Sequence, residues 1–222
     1  MRITHLGHAC LLVEAAGARV LIDPGTLSTF NGTRGIDAIF VTHVHADHVD
    51  PTRLPALLAD NPDTRLYADP HTTSELATRH EIRADALEPG ATVDVRGLHV
   101  RVVGERHAFN HDHAPVVPNA GLVLSAPDEP TLFHPGDAYD AEPGEIDILA
   151  HPLNAPWAAS HNSLDFVRRL RPDVVIPIHD GLLSDAGRAL YGAHVRQFTD
   201  LPDLRYIELA NDESVTIDGA VE

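Results

Sequence analysis

The chain is poor in cysteine and in long apolar runs, and each shortage excludes a class of protein. Only Cys10 is a cysteine among 222 residues, so no disulfide can form within the chain and nothing indicates an oxidising compartment. No apolar stretch approaches the ~20 residues that cross a bilayer, and residues 1–5 lead directly into strand-like sequence. We therefore expect a cytoplasmic protein that does not associate with membranes.

Basic residues are also few, with 16 Lys and Arg against 33 Asp and Glu and a net charge of −17. A field of that sign repels polyanions, so a nucleic-acid partner is not expected. A small phosphorylated substrate stays compatible with the chain, because bound metal can outweigh the global charge locally. At this length and composition we expect one domain over residues 1–222, whose oligomeric state does not follow from composition.

Histidine, by contrast, is abundant, and four metal-ligating side chains fall within six positions: His43, His45, Asp47 and His48. They directly follow residues 38–41, an apolar run that predicts a buried strand. The two-residue period of extended backbone sends the first two histidines to the same side, and the other two ligands come from the turn that follows. Imidazole and carboxylate in this pattern suit neighbouring metal ions such as zinc, whereas a solvated polar loop is the plainer alternative.

Further motifs follow in a fixed order along the chain. They occupy segments 3–10, 21–25, 102–107, 134–137 and 175–180, and those segments contain Asp23, His107, Asp137 and His179. Together with the His-x-His-x-Asp-His hexamer, this series resembles the motifs of the metallo-β-lactamase superfamily. The branch that it resembles most includes L-ascorbate-6-phosphate lactonase and other metal-dependent hydrolases.

The resemblance implies an α/β fold, the αββα sandwich of that superfamily, in which two facing β-sheets carry helices on their outer sides. The alternation of apolar runs and helical patterns agrees with a layered α/β protein. The resemblance also implies the ligands. His43, His45 and His107 would hold a first ion, Asp47, His48 and His179 a second, and Asp137 would bridge them.

The function implied by the resemblance is a dinuclear metal-dependent hydrolase of a small ester, lactone, amide or phosphodiester. A metal-bridging hydroxide would be the nucleophile, since two ions ~3.5–4 Å apart lower the pKa of bound water to about 7. Asp47 is then expected to act as a catalytic residue that orients this hydroxide. Zn²⁺ fits the ligands best, and Mn²⁺ is the alternative that the lactonase-like branch also uses.

Two other functions share the hexamer. Iron-dependent redox members of the superfamily usually carry an acidic residue where this chain has His45. An RNA-processing nuclease is disfavoured by the acidic balance and by the lack of a basic stripe. Hydrolysis of a small molecule therefore stays the leading hypothesis, with the substrate set by loops such as residues 26–35 and 109–119.

Two predicted site positions have alternatives. The ligand of the third motif is expected at His107, because it follows the strand-like residues 98–103, and His111 is the substitute. Asp23 is expected to lie behind a ligand imidazole and fix its tautomer. The plainer alternative is an Asp-Pro-Gly turn, and the two roles are compatible.

The segment that follows residues 146–150 offers further candidates near the metal edge. His151 or Asn154 could donate a proton to the leaving group or bind substrate, and a loop-bracing role is the alternative. Trp157, the only tryptophan, could form a wall of the pocket, or it could simply pack in the structure.

Overall fold

Residues 1–219 form two β-sheets packed face to face in the computed structural model. The expected domain over residues 1–222 ends with three residues that lie outside this described part. The first sheet contains β1 (Arg2–His5), β2 (Leu11–Ala15), β3 (Ala18–Ile22), β4 (Ala38–Val41), β5 (Arg65–Ala68), β6 (Asp85–Ala86) and β14 (Ser214–Thr216). The second contains β7 (Thr92–Val95), β8 (Leu98–Val103), β9 (Gly121–Ser125), β10 (Leu132–His134), β11 (Ile148–Pro152), β12 (Val174–Ile178) and β13 (Arg205–Tyr206).

The helices of the described part are α1 (Leu54–Asp60), α2 (Pro70–His80), α3 (Ser160–Leu170) and α4 (Asp185–Phe198). Apolar side chains such as Leu54 and Leu76 pack α1 and α2 onto the outer face of the first sheet. Phe166 and Val195 do the same for α3 and α4 on the second sheet. This arrangement confirms the predicted αββα sandwich. Among residues 1–219, no helix is both long and apolar enough to cross a membrane.

The main core lies between the sheets and joins strands of both, through residues such as Ile22, Phe40 and Ile176. Full burial of a side chain of this size contributes roughly 1.5–3 kcal/mol. All four residues of β4 are buried because this strand is covered on both faces, which is why it reads as a continuous apolar run rather than an alternating one.

Each sheet combines an antiparallel part with a parallel part. Strands β3 to β6 run parallel in the first sheet, and β10 to β13 do so in the second. Parallel strands end at the same edge of a sheet, and ligands commonly bind there. Asp23 follows β3 and His43 follows shortly after β4, while His179 follows β12, so two predicted ligands and the residue predicted to support a ligand leave the strands at their carboxyl ends.

Strand predictions at residues 38–41, 65–68, 98–103 and 121–125 match the structure, but some other elements differ. The late strand predicted at residues 206–209 is only Arg205–Tyr206. The predicted helix 71–81 starts one residue earlier, because the Asp69 side chain accepts hydrogen bonds from the backbone N–H groups of His71 and Thr72. The short helix α1 was not predicted, since seven residues carry too little periodic pattern.

Candidate metal centre

The loop after β4 carries the hexamer and is held against the turn after β3. The N–H of Thr26 donates to the carbonyl of Ala46. Gly25 approaches this loop so closely that a Cβ there would lie 1.8 Å from the carbonyl oxygen of Asp47. Glycine is therefore required at this point, and the Asp-Pro-Gly turn fixes the position of the hexamer.

Metal-ligating side chains meet above this loop in two groups. In each group one ligand atom per residue lies within 4.8 Å of the others. One group contains His43, His45, His107 and Asp137, and the other contains His8, Asp47, His48 and His179. All seven residues predicted as ligands are thus brought together, and His8 is an addition that the sequence reasoning did not place in the set.

Asp137 lies between the two groups. Its Oδ2 is 3.3 Å from Nε2 of His107 and 3.2 Å from Nε2 of His179. Its Oδ1 is 3.0 Å from Nε2 of His48. One carboxylate therefore faces imidazoles of both groups. Gly136 makes this possible, since it has φ +61° and a Cβ there would lie 2.2 Å from the side-chain oxygen of Asn119.

The outer nitrogens of three histidines are held by hydrogen-bond acceptors. Nδ1 of His107 donates to the carbonyl of Ala108, and Nδ1 of His179 donates to the carbonyl of Asn154, both at 2.7 Å. Nδ1 of His48 donates to Oδ2 of Asp23, also at 2.7 Å. Because these oxygens can only accept, a neutral ring carries its proton on Nδ1 and turns the lone pair of Nε2 towards the centre.

The inner atoms are left without partners. Within residues 1–219, Nε2 of His48, His107 and His179 are buried and lie 3.0, 3.3 and 3.2 Å from the Asp137 carboxylate, yet neither they nor Oδ1 of Asp137 form a hydrogen bond. Buried polar atoms of this kind are costly unless something satisfies them. Imidazole lone pairs and carboxylate oxygens converging on one space have the chemistry of a site for divalent cations such as Zn²⁺. The residues present therefore fit a metal.

Asp23 supports two ligands from behind. It is fully buried, and its carboxylate accepts from the N–H and the hydroxyl of Thr42, both at 2.8 Å, in addition to His48. Since the Thr42 hydroxyl donates to Asp23, its oxygen is free to accept from Nδ1 of His43 at 3.0 Å. This carboxylate is placed where the predicted role in fixing a ligand tautomer requires it.

His8 has the opposite tautomer from His48, His107 and His179. The backbone N–H of Gly181 donates to its Nδ1 at 3.1 Å, so the ring proton lies on Nε2. That Nε2 then donates to Oδ2 of Asp47 at 3.1 Å. His8 therefore holds a carboxylate in place, and its lone pair does not point at the centre.

The charges of the cluster are strongly coupled. Burial and then the neighbouring His48 hold the pKa of His43 well below its usual range. Burial also opposes a charged His179, but its contacts with Asp137 and Asp47 outweigh this and raise its pKa to about 9. Burial would raise the pKa of Asp137, yet His48, His107 and His179 hold it well below the usual value, so this side chain is an anion at neutral pH.

The structure decides between the two candidates of the third motif. His107 is half-buried beside Asp137, whereas His111 is exposed and its ring lies against that of His113 at 5.4 Å. His107 is therefore the residue that reaches the centre, as expected. It also lines a cavity of about 220 Å³ together with His45, Phe109 and Val116, which gives access to the first group of ligands.

The three candidates at the end of β11 and in the loop that follows differ in how they are placed relative to the centre. His151 is wrong as a proton donor or substrate ligand, because its side chain is fully buried and its Nε2 is 2.9 Å from the hydroxyl of Ser163 on α3. Asn154 contributes its backbone carbonyl, which accepts from His179. Trp157 does stand beside the centre, and its indole N–H donates to Oδ2 of Asp137 at 2.9 Å.

Because His151 is buried, its protonation makes the free energy of unfolding depend on pH. Burial lowers its pKa to about 3, while the unfolded chain has a value near 6.5. Protonation therefore favours the unfolded state, and the stabilising contribution is complete above pH ~6.5 and is lost as the pH falls towards 3. Between pH 7 and pH 5, wild type should lose about 2 kcal/mol more of its free energy of unfolding than the variant His151→Leu.

Urea unfolding of both proteins with a chelator present measures this difference, because protonation of the ligand histidines is common to both and cancels. Equal losses in wild type and variant would show that His151 is not held neutral by the fold.

A family model and several relatives match this chain. The model of the β-lactamase superfamily domain matches residues 2–179. Protein Rv0786c of Mycobacterium tuberculosis is 40% identical over 201 residues, which cover 90% of this chain and 93% of that protein. A UPF0173 metal-dependent hydrolase of Azorhizobium caulinodans is 33% identical over 150 residues, which cover 62% of this chain and 63% of that protein.

Solved structures show the same architecture. The metallo-β-lactamase fold protein YhfI of Bacillus subtilis has a TM-score of 0.73 at 11% identity, and the match covers 96% of this chain and 98% of that one. CmlA, a diiron β-hydroxylase of Streptomyces venezuelae, has a TM-score of 0.75 at 14% identity, covering 97% of this chain and 54% of that one. At such identities the likeness concerns the fold alone.

Proposed function

The chain belongs to the metallo-β-lactamase superfamily, and on that premise we propose that it is a dinuclear metal-dependent hydrolase of a small ester, lactone, amide or phosphodiester. The observation that carries this proposal is the position of Asp137, whose two oxygens face His48, His107 and His179. A carboxylate between two sets of imidazoles is the ligand that two neighbouring divalent cations would share.

We assign the ligands by the two groups in which their side chains meet, and we use the direction of the lone pair to decide on His8. The first ion would be held by His43, His45 and His107, the second by Asp47, His48 and His179, and Asp137 would contact both. His8 is left out of the ligand set, because its Nε2 carries the proton that it donates to Asp47.

Two divalent ions held there would supply a nucleophile from water at neutral pH and stabilise negative charge on the carbonyl or phosphoryl group under attack. The chain's own residues supply position. Asp47 is half-buried and its Oδ2 is fixed by His8, so it is our candidate for the residue that orients the attacking oxygen. Trp157 covers the side of the centre that is next to His107. Its N–H donates to Asp137, and its ring lies 5.8 Å from that of His107.

Metal removal tests this function directly. Wild type is expected to contain two divalent ions per chain by elemental analysis, and chelation should lower hydrolysis of a generic ester, lactone and phosphodiester panel by roughly 10³-fold or more. Zn²⁺ or Mn²⁺ should restore it. A folded, fully metal-loaded protein without turnover on the whole panel would contradict the hydrolase. Iron in protein from the native host would favour redox chemistry instead.

Three variants test which residues bind metal, through the number of ions that each variant holds per chain. His48→Ala removes a proposed ligand and should leave at most one ion per chain. His8→Gln should keep both ions, because the glutamine amide can still donate to Asp47. His99→Ala is the matched control, since His99 is an exposed residue of β8 that belongs to neither group of metal-ligating side chains and instead lies 3.2 Å from Asp94. Loss of an ion in His8→Gln would make His8 a ligand.

A further inference from the structure

A second cavity lies beside the candidate centre, and Trp157 belongs to its wall. Its volume is about 470 Å³, and its walls include the rings of Phe109, Tyr139, Trp157 and Phe166. Trp157 is the shared wall, since the same indole that lines the cavity donates a hydrogen bond to Asp137. A group bound in this cavity would therefore sit next to the proposed ligands.

Aromatic side chains form most of the apolar wall. The ring of Tyr139 lies 4.8 Å from that of Trp157 and 5.0 Å from that of Phe166, so the three rings form one packed surface. Phe109 is 70% exposed, which is unusual for a side chain of its size. It lines both this cavity and the one that leads to His45 and His107, so a bound molecule that reached both would cover it.

The charged side chains of this cavity that lack an ion-pair partner are acidic. Asp140 and Asp165 line it, both are exposed, and neither has an ion-pair partner in the described part of the chain. The one cation of the lining, Arg169, is already engaged. Its guanidinium donates to the carboxylate of Glu142 at 2.6 Å and to the backbone carbonyls of residues 139 and 141.

Aromatic faces attract apolar groups and cations, and unpaired carboxylates repel anions. We propose that this cavity is the substrate subsite of the enzyme and that it takes an aromatic or compact apolar group that is uncharged or cationic. We call it the aromatic pocket (Phe109, Tyr139, Asp140, Trp157, Asp165, Phe166). The inference rests on the proposed hydrolase, which supplies the reaction. It predicts weak binding of any substrate whose aromatic or apolar group carries a phosphate or carboxylate.

The chain provides its own probe of this binding, because Trp157 is its only tryptophan and stands in the wall. Tryptophan fluorescence of the metal-loaded protein and of the chelated protein is titrated with benzyltrimethylammonium, benzyl alcohol and phenylacetate. We expect saturable changes with the first two and at least about 10-fold weaker binding of phenylacetate to the chelated protein. Because no turnover is measured, failure of the hydrolase proposal leaves this result readable.

Variants separate the aromatic and the charge contributions. Phe109→Ala should weaken the binding of benzyl alcohol and of benzyltrimethylammonium about 10-fold. The double variant Asp140→Asn with Asp165→Asn should reduce the preference for the cation over phenylacetate by about 10-fold. The pair Asp63→Asn with Asp203→Asn is the control, since it removes the same charge from exposed turns elsewhere.

Three outcomes would overturn the proposal. They are an absence of saturable binding, binding of phenylacetate to the chelated protein as tight as that of the other two probes, and an unchanged charge preference in the double variant.

Discussion

Asp137→Asn is expected to lower kcat/KM for any hydrolysed substrate by roughly 10³-fold or more. Asparagine keeps the size of the side chain but offers one oxygen and one NH₂ group in place of two acceptors. One of the two ligand groups would then face a donor. The change also removes the negative charge opposite His48, His107 and His179, so two bound cations would lose the anion between them.

Elemental analysis and steady-state kinetics on the same preparation check this. The variant should hold no more than one ion per chain while its far-UV circular dichroism stays that of wild type. Asp63→Asn is the control, because this exposed residue before β5 loses the same charge without touching the centre. Two ions and full activity in Asp137→Asn would refute the bridging role, and with it the dinuclear proposal.

Asp23→Ala is expected to destabilise the protein by about 3–5 kcal/mol. The carboxylate is completely buried and accepts three hydrogen bonds, from the N–H and hydroxyl of Thr42 and from Nδ1 of His48. Alanine would leave these donors without an acceptor in a dry environment. Guanidinium unfolding of the chelated protein measures the loss without the contribution of bound metal.

Backbone strain has to be separated from this loss, since Asp23 has φ +50°. Asp128→Ala is the matched control, because Asp128 has φ +62° on an exposed turn and measures the cost of alanine at such an angle alone. Asparagine tolerates this positive φ, so Asp23→Asn should avoid the strain. It should lower zinc affinity about 10- to 100-fold by misplacing His48. Equal losses in Asp23→Ala and Asp128→Ala would show that the buried hydrogen bonds contribute little.

The sequence predicted the structure best where one short segment combines an apolar strand pattern with metal-ligating side chains. Strand β4 was predicted with its exact bounds because its apolar run is buried on both faces, and the ligands of the next loop follow from that strand. The layered αββα fold followed from the order of the motifs and the resemblance that they carry. Asp23 and His107 were also placed near the centre, since Asp23 directly follows β3 and His107 lies in the loop shortly after β8.

Residues whose role depends on distant contacts could not be placed in this way. His8 contacts Asp47 and the backbone of Gly181, which are 39 and 173 positions away, and nothing local signals either contact. His151 failed for a different reason. A histidine at a strand end can face the site or the opposite helix, and only packing against Ser163 and Phe166 decides that it faces α3.

The contact between His8 and His179 joins the first hairpin of the chain to its last ligand. The N–H of His179 donates to the carbonyl of His8 at 2.9 Å, and their rings lie 4.0 Å apart. Contacts over such sequence separations form late in folding. During synthesis the cluster therefore stays incomplete until His179 has left the ribosome, so the proposed metal site can form only after most of the chain has been translated.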